Sequence, residues 1–143
     1  MKIDGSCLCG AYAYEAEIDP AKVVVCHCTD CQISSASAFR FGVLVRKDRY
    51  VELRGTLKTF VKIAESGAPR ALTFCPECGT SIYGCEPEGP TVYSLRLGTA
   101  RQRAELVPQV QVWRRSALPW ISCVDELRAH DSQPDKLRPR SDF

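Results

Sequence analysis

Histidine is scarce in this chain: its 143 residues contain two, His27 and His130. With only these two imidazoles the sequence offers no persuasive Ser-His-Asp grouping, and it carries neither a G-x-S-x-G elbow nor a Gly-rich phosphate loop. Long apolar runs are missing as well. No stretch reaches the ~18 consecutive apolar residues that a membrane span needs, and the opening MKIDGSCLCG has no apolar core of a leader peptide. The chain is therefore expected in the cytoplasm, with no membrane partner. Charge of one sign is also lacking. Lys and Arg number 19 against 17 Asp and Glu, a formal +2, and no long basic run occurs, which argues against a nucleic-acid role. Arg101, Arg103, Arg114 and Arg115 make the second half more basic, but charges beside strands are ordinarily solvated faces.

What the sequence has instead is thiols. Nine cysteines in a chain read as cytoplasmic stay reduced, so they read as metal ligands or reactive groups rather than as a disulfide framework. Seven of them fall in three groups, Cys7-Leu8-Cys9-Gly10, Cys26-His27-Cys28-Thr29-Asp30-Cys31 and Cys75-Pro76-Glu77-Cys78-Gly79, while Cys85 and Cys123 stand alone. A C-x-x-C knuckle followed by Gly lets two sulfurs face one ion while the glycine accepts the turn. CPECG is half a site, and CLCG can supply the other half. Four thiolates would close a tetrahedral zinc site of structural type, whereas three thiols within C-x-C-x-x-C leave a fourth position open, as catalytic zinc sites do. Spacing leaves other partitions open. Cys28 or Cys31 can pair with CPECG, and His27, Cys85 or Cys123 can close the second site. Cys85 and Cys123 read more simply as small buried apolar residues. Iron-sulfur ligation is disfavoured, because neither ferredoxin spacing is present. If seven thiolates hold two zinc ions, the folded net charge falls to roughly −1.

Hydrophobic patterning points to short strands. AYAYEAEI (11–18) places Tyr12, Tyr14, Ala16 and Ile18 on one face against Glu15 and Glu17. KVVV (22–25), FGVLV (41–45), YVELRG (50–55), LKTFV (57–61), ALTF (71–74), SIYGCE (81–86), TVYSLRLG (91–98) and VQVW (110–113) follow, with Arg54-Gly55-Thr56 as a tight turn and 71–86 as a hairpin around a metal knuckle. Helical turns are expected only within ISSASAF (33–39) and VDELRAH (124–130). A mainly β, single domain over 1–131 results, followed by a polar tail at 132–143.

The order G-S-C-x-C-G near the N-terminus, C-H-C-x-x-C from residue 26 and F-C-x-x-C-G from residue 74 resembles the glutathione-dependent formaldehyde-activating enzyme family, which includes centromere protein V. The resemblance extends to SASAF (35–39) and SALPWISCVDEL (116–127). It implies a β-tent fold of antiparallel sheets, a structural zinc on Cys7, Cys9, Cys75 and Cys78, and a second, catalytic-type zinc on Cys26, Cys28 and Cys31. It implies a carbon-sulfur lyase related to S-(hydroxymethyl)glutathione synthase, with glutathione or another small thiol as substrate and formaldehyde or a similar carbonyl as its partner. Gln32-Ile33, Ser35-Ala36 and Gln111 stand where other residues are common in that family. Thr29, Asp30 and Ser34 are candidates for orienting substrate or moving protons, while Tyr83 and Tyr93 read as packing residues. A second reading stays open, in which the chain is a non-catalytic zinc module that carries a thiol or binds a protein partner. Oligomeric state is not legible.

Overall fold

A computed structural model describes residues 1–64 and 66–132; the proposed tail, apart from its first residue, lies outside them. The chain folds into two sheets. Strands β1 (Lys2–Ser6), β2 (Ala13–Glu17) and β5 (Tyr50–Arg54) form a three-stranded antiparallel sheet in the order β1-β2-β5. The larger sheet has seven strands in the order β10-β3-β4-β9-β8-β7-β6. Its members are β3 (Val24–Cys26), β4 (Arg40–Arg46), β6 (Lys58–Ile63), β7 (Pro69–Phe74), β8 (Ser81–Cys85), β9 (Val92–Arg96) and β10 (Val110–Val112). One α-helix, α1 (Thr29–Ser35), and several short 3-10 turns complete the described elements.

The mainly β class expected from the patterning is what the chain adopts. One pair departs from the antiparallel expectation, since β10 runs parallel to β3. A tight turn would have dictated an antiparallel pair; β10 instead returns to β3 after six intervening strands, so no hairpin fixes its direction. The Arg54-Gly55-Thr56 turn carries the chain from the small sheet to the edge of the large one.

Alternation in AYAYEAEI is realised: Tyr12, Tyr14, Ala16 and Ile18 are buried while Glu15 and Glu17 are exposed. Their face packs on the large sheet through tyrosines. Tyr50 meets Tyr83 and Tyr93 edge-on at 5.5 and 5.3 Å, and Tyr83 stacks on Tyr93 at 4.2 Å. Such rings bring large buried area, and their hydroxyls need partners. Tyr12 and Tyr50 share a hydrogen bond of 2.8 Å, and Tyr14 bonds Thr99 Oγ1 at 2.8 Å. Val43, Val45, Leu95 and Leu97 fill the rest of this core. Gly5 is obligatory for the close approach here, because a Cβ would sit 2.5 Å from the Thr99 carbonyl oxygen and 2.6 Å from the Tyr14 ring.

Two helical expectations shift. The turn anticipated at 33–39 begins earlier, as α1, because the Cys28 sulfur accepts the Cys31 amide at 3.4 Å and caps the helix there. The late turn forms at Pro119–Glu126 as a 3-10 segment, its start favoured by proline at the first position.

Candidate functional site

Two groups of sulfurs come together, and they partition as the motifs do. Cys7 and Cys9 lie on the β1–β2 connection, Cys75 and Cys78 on the β7–β8 connection, and their four Sγ atoms all lie within 4.8 Å of one another. Cys7 Sγ is 3.5 Å from Cys9 Sγ, and Cys9 Sγ is 3.9 Å from Cys75 Sγ. A tetrahedral ion with Zn–S bonds near 2.3 Å separates its sulfurs by about 3.8 Å, so this donor set fits zinc. All nine cysteines are free thiols. Local backbone shapes the knuckles: the Gly10 amide donates to the Cys7 carbonyl and the Gly79 amide to the Cys75 carbonyl, at 3.0 and 2.9 Å. Both glycines sit at positive φ, 75° and 73°, which other residues adopt at a cost.

Hydrogen bonds also tune these sulfurs. The Thr80 hydroxyl, 3.1 Å away, is the main cause holding the Cys78 thiol down to about 5. Burial pushes Cys7 up, but the Tyr12 amide donating to its sulfur at 3.2 Å and the neighbouring thiols outweigh that and leave it lowered. The Ala11 amide favours the Cys9 thiolate, yet its crowded sulfur neighbours drive that thiol up to about 12.

The second group is local. Cys26 ends β3, Cys28 caps α1 and Cys31 lies in the first turn of α1; their sulfurs lie within 4.8 Å of one another, with Cys26 and Cys31 at 3.4 Å. Three thiol donors of this geometry fit zinc with one position left for another ligand. The loop is clamped on both sides. Cys26 pairs with Val112 of β10 and with Arg40 of β4, and the His27 amide donates to the Val112 carbonyl.

Arg40 turns its side chain onto the group, Nε donating to Cys31 Sγ at 3.2 Å, and also bonds Ser94 Oγ. Burial works against the Cys31 thiolate, but Cys28 and the Arg40 guanidinium prevail and lower its pKa. Burial dominates at Cys28 and pushes it up to about 12.

His27 lies outside both groups of donors. It is 1% exposed, Nε2 is 2.9 Å from Gln111 Oε1, its ring meets Phe39 edge-on, and Nδ1 has no partner. Gln32 Nε2 donates to the His27 carbonyl and to the Ser116 carbonyl, both at 2.8 Å. Gln32 and Gln111 thus both fasten His27, the first at its backbone carbonyl and the second at its ring. Cys85 is buried on β8, as expected of a small apolar residue, whereas Cys123 is exposed and does not fit that reading. Tyr83 and Tyr93 pack in the core. Thr29, Asp30 and Ser34 line the cleft beside the three sulfurs, and Asp30 is paired with Lys62.

That cleft has a volume of about 790 Å³. Arg40, Lys62, Arg70, Ser94, Arg96 and Trp113 also line it, none of them singled out by the motifs. Arg96 had a visible signal, a lone charge in the otherwise uncharged strand TVYSLRLG. Arg40 had a weaker one, as the first charge after the C-H-C-x-x-C loop. Lys62 and Arg70 had none, because only strand pairing brings them to the cleft.

A family model described as glutathione-dependent formaldehyde-activating enzyme matches residues 2–116. A protein of Schizosaccharomyces pombe (strain 972 / ATCC 24843), named an uncharacterized lyase, is 31% identical over 90 residues, which cover 63% of this chain and 62% of that protein. The match therefore spans less than two thirds of the relative's length. A crystal structure of a Rhodobacter sphaeroides protein shares the fold, with a TM-score of 0.52 at 20% identity over 67% of this chain and 85% of the other.

Proposed function

Because the chain belongs to the glutathione-dependent formaldehyde-activating enzyme family, we propose that it is a zinc-dependent enzyme of carbon-sulfur lyase type, resembling S-(hydroxymethyl)glutathione synthase. It joins a small thiol, glutathione or a relative, to formaldehyde or another small carbonyl, and runs the reverse cleavage. The observation that carries this reading is the open three-sulfur group at the end of a large cleft, set against a four-sulfur group whose ligands suffice for a closed site.

On this reading Cys7, Cys9, Cys75 and Cys78 hold a structural zinc, and Cys26, Cys28 and Cys31 hold a catalytic one. Bound there, zinc supplies a Lewis acid that lowers the pKa of a coordinated thiol, whose free value of ~8.5 is already near neutrality. The chain's own residues do the rest. Arg40 keeps Cys31 in the thiolate form that a metal needs, through its Nε hydrogen bond. Ser34, on the cleft wall, passes the proton from thiol to carbonyl oxygen, and Asp30, held by Lys62, orients the substrate beside it. The balance is simple: the sulfur–carbon bond forms, the carbonyl π pair becomes an O–H bond with the proton the thiol gave up, and nothing is oxidised or reduced. Residues 1–131 form the zinc-binding domain of this enzyme and 132–143 its tail. No described helix is long and apolar enough to cross a membrane, and nine free thiols suit the reducing cytoplasm in which we place it.

A carrier role is the second reading. It is favoured by the scarcity of free acid-base groups: Asp30 is paired with Lys62, and His27 Nε2 is engaged by Gln111. Cobalt substitution separates the two. An enzyme gives a thiolate-to-cobalt absorption that shifts with glutathione and then turns over formaldehyde. A carrier gives the shift without turnover, and an absent shift sinks both.

A further inference from the structure

The cleft is lined by four cations, Arg40, Lys62, Arg70 and Arg96, and by one carboxylate among the described residues, Asp30. Asp30 is already spent on Lys62. Arg40 is engaged as well, by Cys31 Sγ and Ser94 Oγ. Arg96 is different. It is 9% exposed, its one hydrogen bond is a long one of 3.4 Å from Nε to Ser81 Oγ, and no carboxylate among the described residues pairs with it. A buried guanidinium in that state is costly unless an anion completes it. Burial, followed by repulsion from Arg40, brings its pKa down to about 10, so it stays charged at neutral pH.

Backbone placement reinforces the arrangement. Gly42 allows the close approach of β4 and β9 beside Arg40, since a Cβ there would sit 2.5 Å from the Leu95 carbonyl oxygen and 3.0 Å from Arg40 Nη1. Further along the cleft, Lys62 and Arg70 face each other directly across β6 and β7, a like-charge pair that sheets ordinarily avoid. Trp113, also on the cleft wall, has a left-handed backbone with φ 57°, a strained state for a bulky residue and one that clusters at ligand sites.

We infer that the cleft selects its substrate by a carboxylate, which Arg96 receives beside the three-sulfur group, with Arg70 adding positive potential. This deepens the proposed function and rests on it. Arg40 is hydrogen-bonded to Cys31, whereas Arg96 feels the charge of the sulfurs without a hydrogen bond to them, which leaves its guanidinium fork for a ligand. A planar carboxylate matches the guanidinium fork in a way that formaldehyde, having no charge, cannot. The carboxylate can belong to either reacting partner, a 2-oxo acid carbonyl or a thiol acid, and the two sources are separable.

The test is isothermal titration calorimetry on the full-length, zinc-loaded protein with two matched pairs of probes. One pair is glyoxylate against glycolaldehyde; the other is 3-mercaptopropionate against 2-mercaptoethanol. The carboxylate member of at least one pair should bind roughly 10- to 100-fold tighter than its neutral match, and the pair that shows this identifies the source. Arg96→Met should erase the preference, and Arg96→Lys should keep only part of it. Equal affinities within both pairs, or a preference that survives Arg96→Met in protein folded by circular dichroism, overturn the inference. If Arg96→Met does not fold, Arg96→Lys decides, and an undiminished preference is fatal. Failure of the zinc reading is distinguishable, because a cobalt spectrum that ignores every thiol leaves the glyoxylate comparison standing.

Discussion

Cys7 and Cys9 meet Cys75 and Cys78 across two sheets, whereas Cys26, Cys28 and Cys31 meet within one loop. The donor atoms are the same, so the difference is one of chain path. The four-sulfur group joins the β1–β2 connection of the small sheet to the β7–β8 hairpin of the large one. Any ion it holds closes a long loop, and its binding energy becomes folding energy. The three-sulfur group closes almost no loop and contributes little to the fold. Its value lies in what surrounds it, a cleft with Arg40 on its sulfurs and Arg96 beyond them. Thiol chemistry alone therefore does not say what a cluster is for; its reach along the chain and its free side do.

The sharpest way to break this contrast is Cys75→Ser. Structural zinc sites contribute on the order of 10 kcal/mol in small domains, comparable with a whole domain's ~5–15 kcal/mol. The variant is expected to lose cooperative thermal unfolding and most of its soluble yield, read by circular dichroism and metal analysis.

Cys28→Ser is the matched control. It should keep a cooperative melt within about 5 °C of the parent, retain one metal per chain rather than two, and lose the response of the cobalt spectrum to thiols. Equal destabilisation by the two serines would erase the distinction.

Acidification provides an intermediate effect. Ligation needs thiolates, so protons displace the ion as pH falls. Burial has raised Cys28 to about 12, while Cys31 is lowered. In the four-sulfur group Thr80 holds Cys78 near 5 and Cys7 is also lowered, while Cys9 is raised. The three-sulfur group should release its metal first, at a higher pH, seen as two steps in a chromophoric chelator assay; one merged step would contradict the assignment.

The smallest effect is expected from Arg40→Met. Removing the donor to Cys31 Sγ should weaken the second metal roughly 10- to 100-fold, in line with other outer-shell losses, while the first metal and the melting temperature hold.

Legibility in the sequence followed the same division between local and long-range. CPECG and CLCG announce their turns because two sulfurs and a glycine at fixed spacing form a local object, and AYAYEAEI announces its buried face by alternation. Strand β1 went unmarked, since KIDGS offers a single apolar residue, Ile3, between polar neighbours. The start of α1 was hidden because a cysteine side chain, rather than a serine or aspartate, caps it. Arg96 and Arg70 reach the cleft only through the order of strands β4-β9-β8-β7, which arises from tyrosine packing and pairings far apart in the chain. No motif encodes that order.

Reach along the chain also sets a schedule. A polypeptide leaves the ribosome from its N-terminus at about 5 to 20 residues per second. Cys26, Cys28 and Cys31 emerge almost together, but the roughly fifty residues from Cys31 to Cys78 take about 2 to 10 s more. During that interval the nascent chain offers a complete three-thiol claw, with Cys7 and Cys9 still waiting for their partners. Val112, the strand neighbour of Cys26, arrives later again and fastens the claw after it can already be loaded. An ion taken up first by that claw during synthesis would then be the same one expected to leave first on acidification.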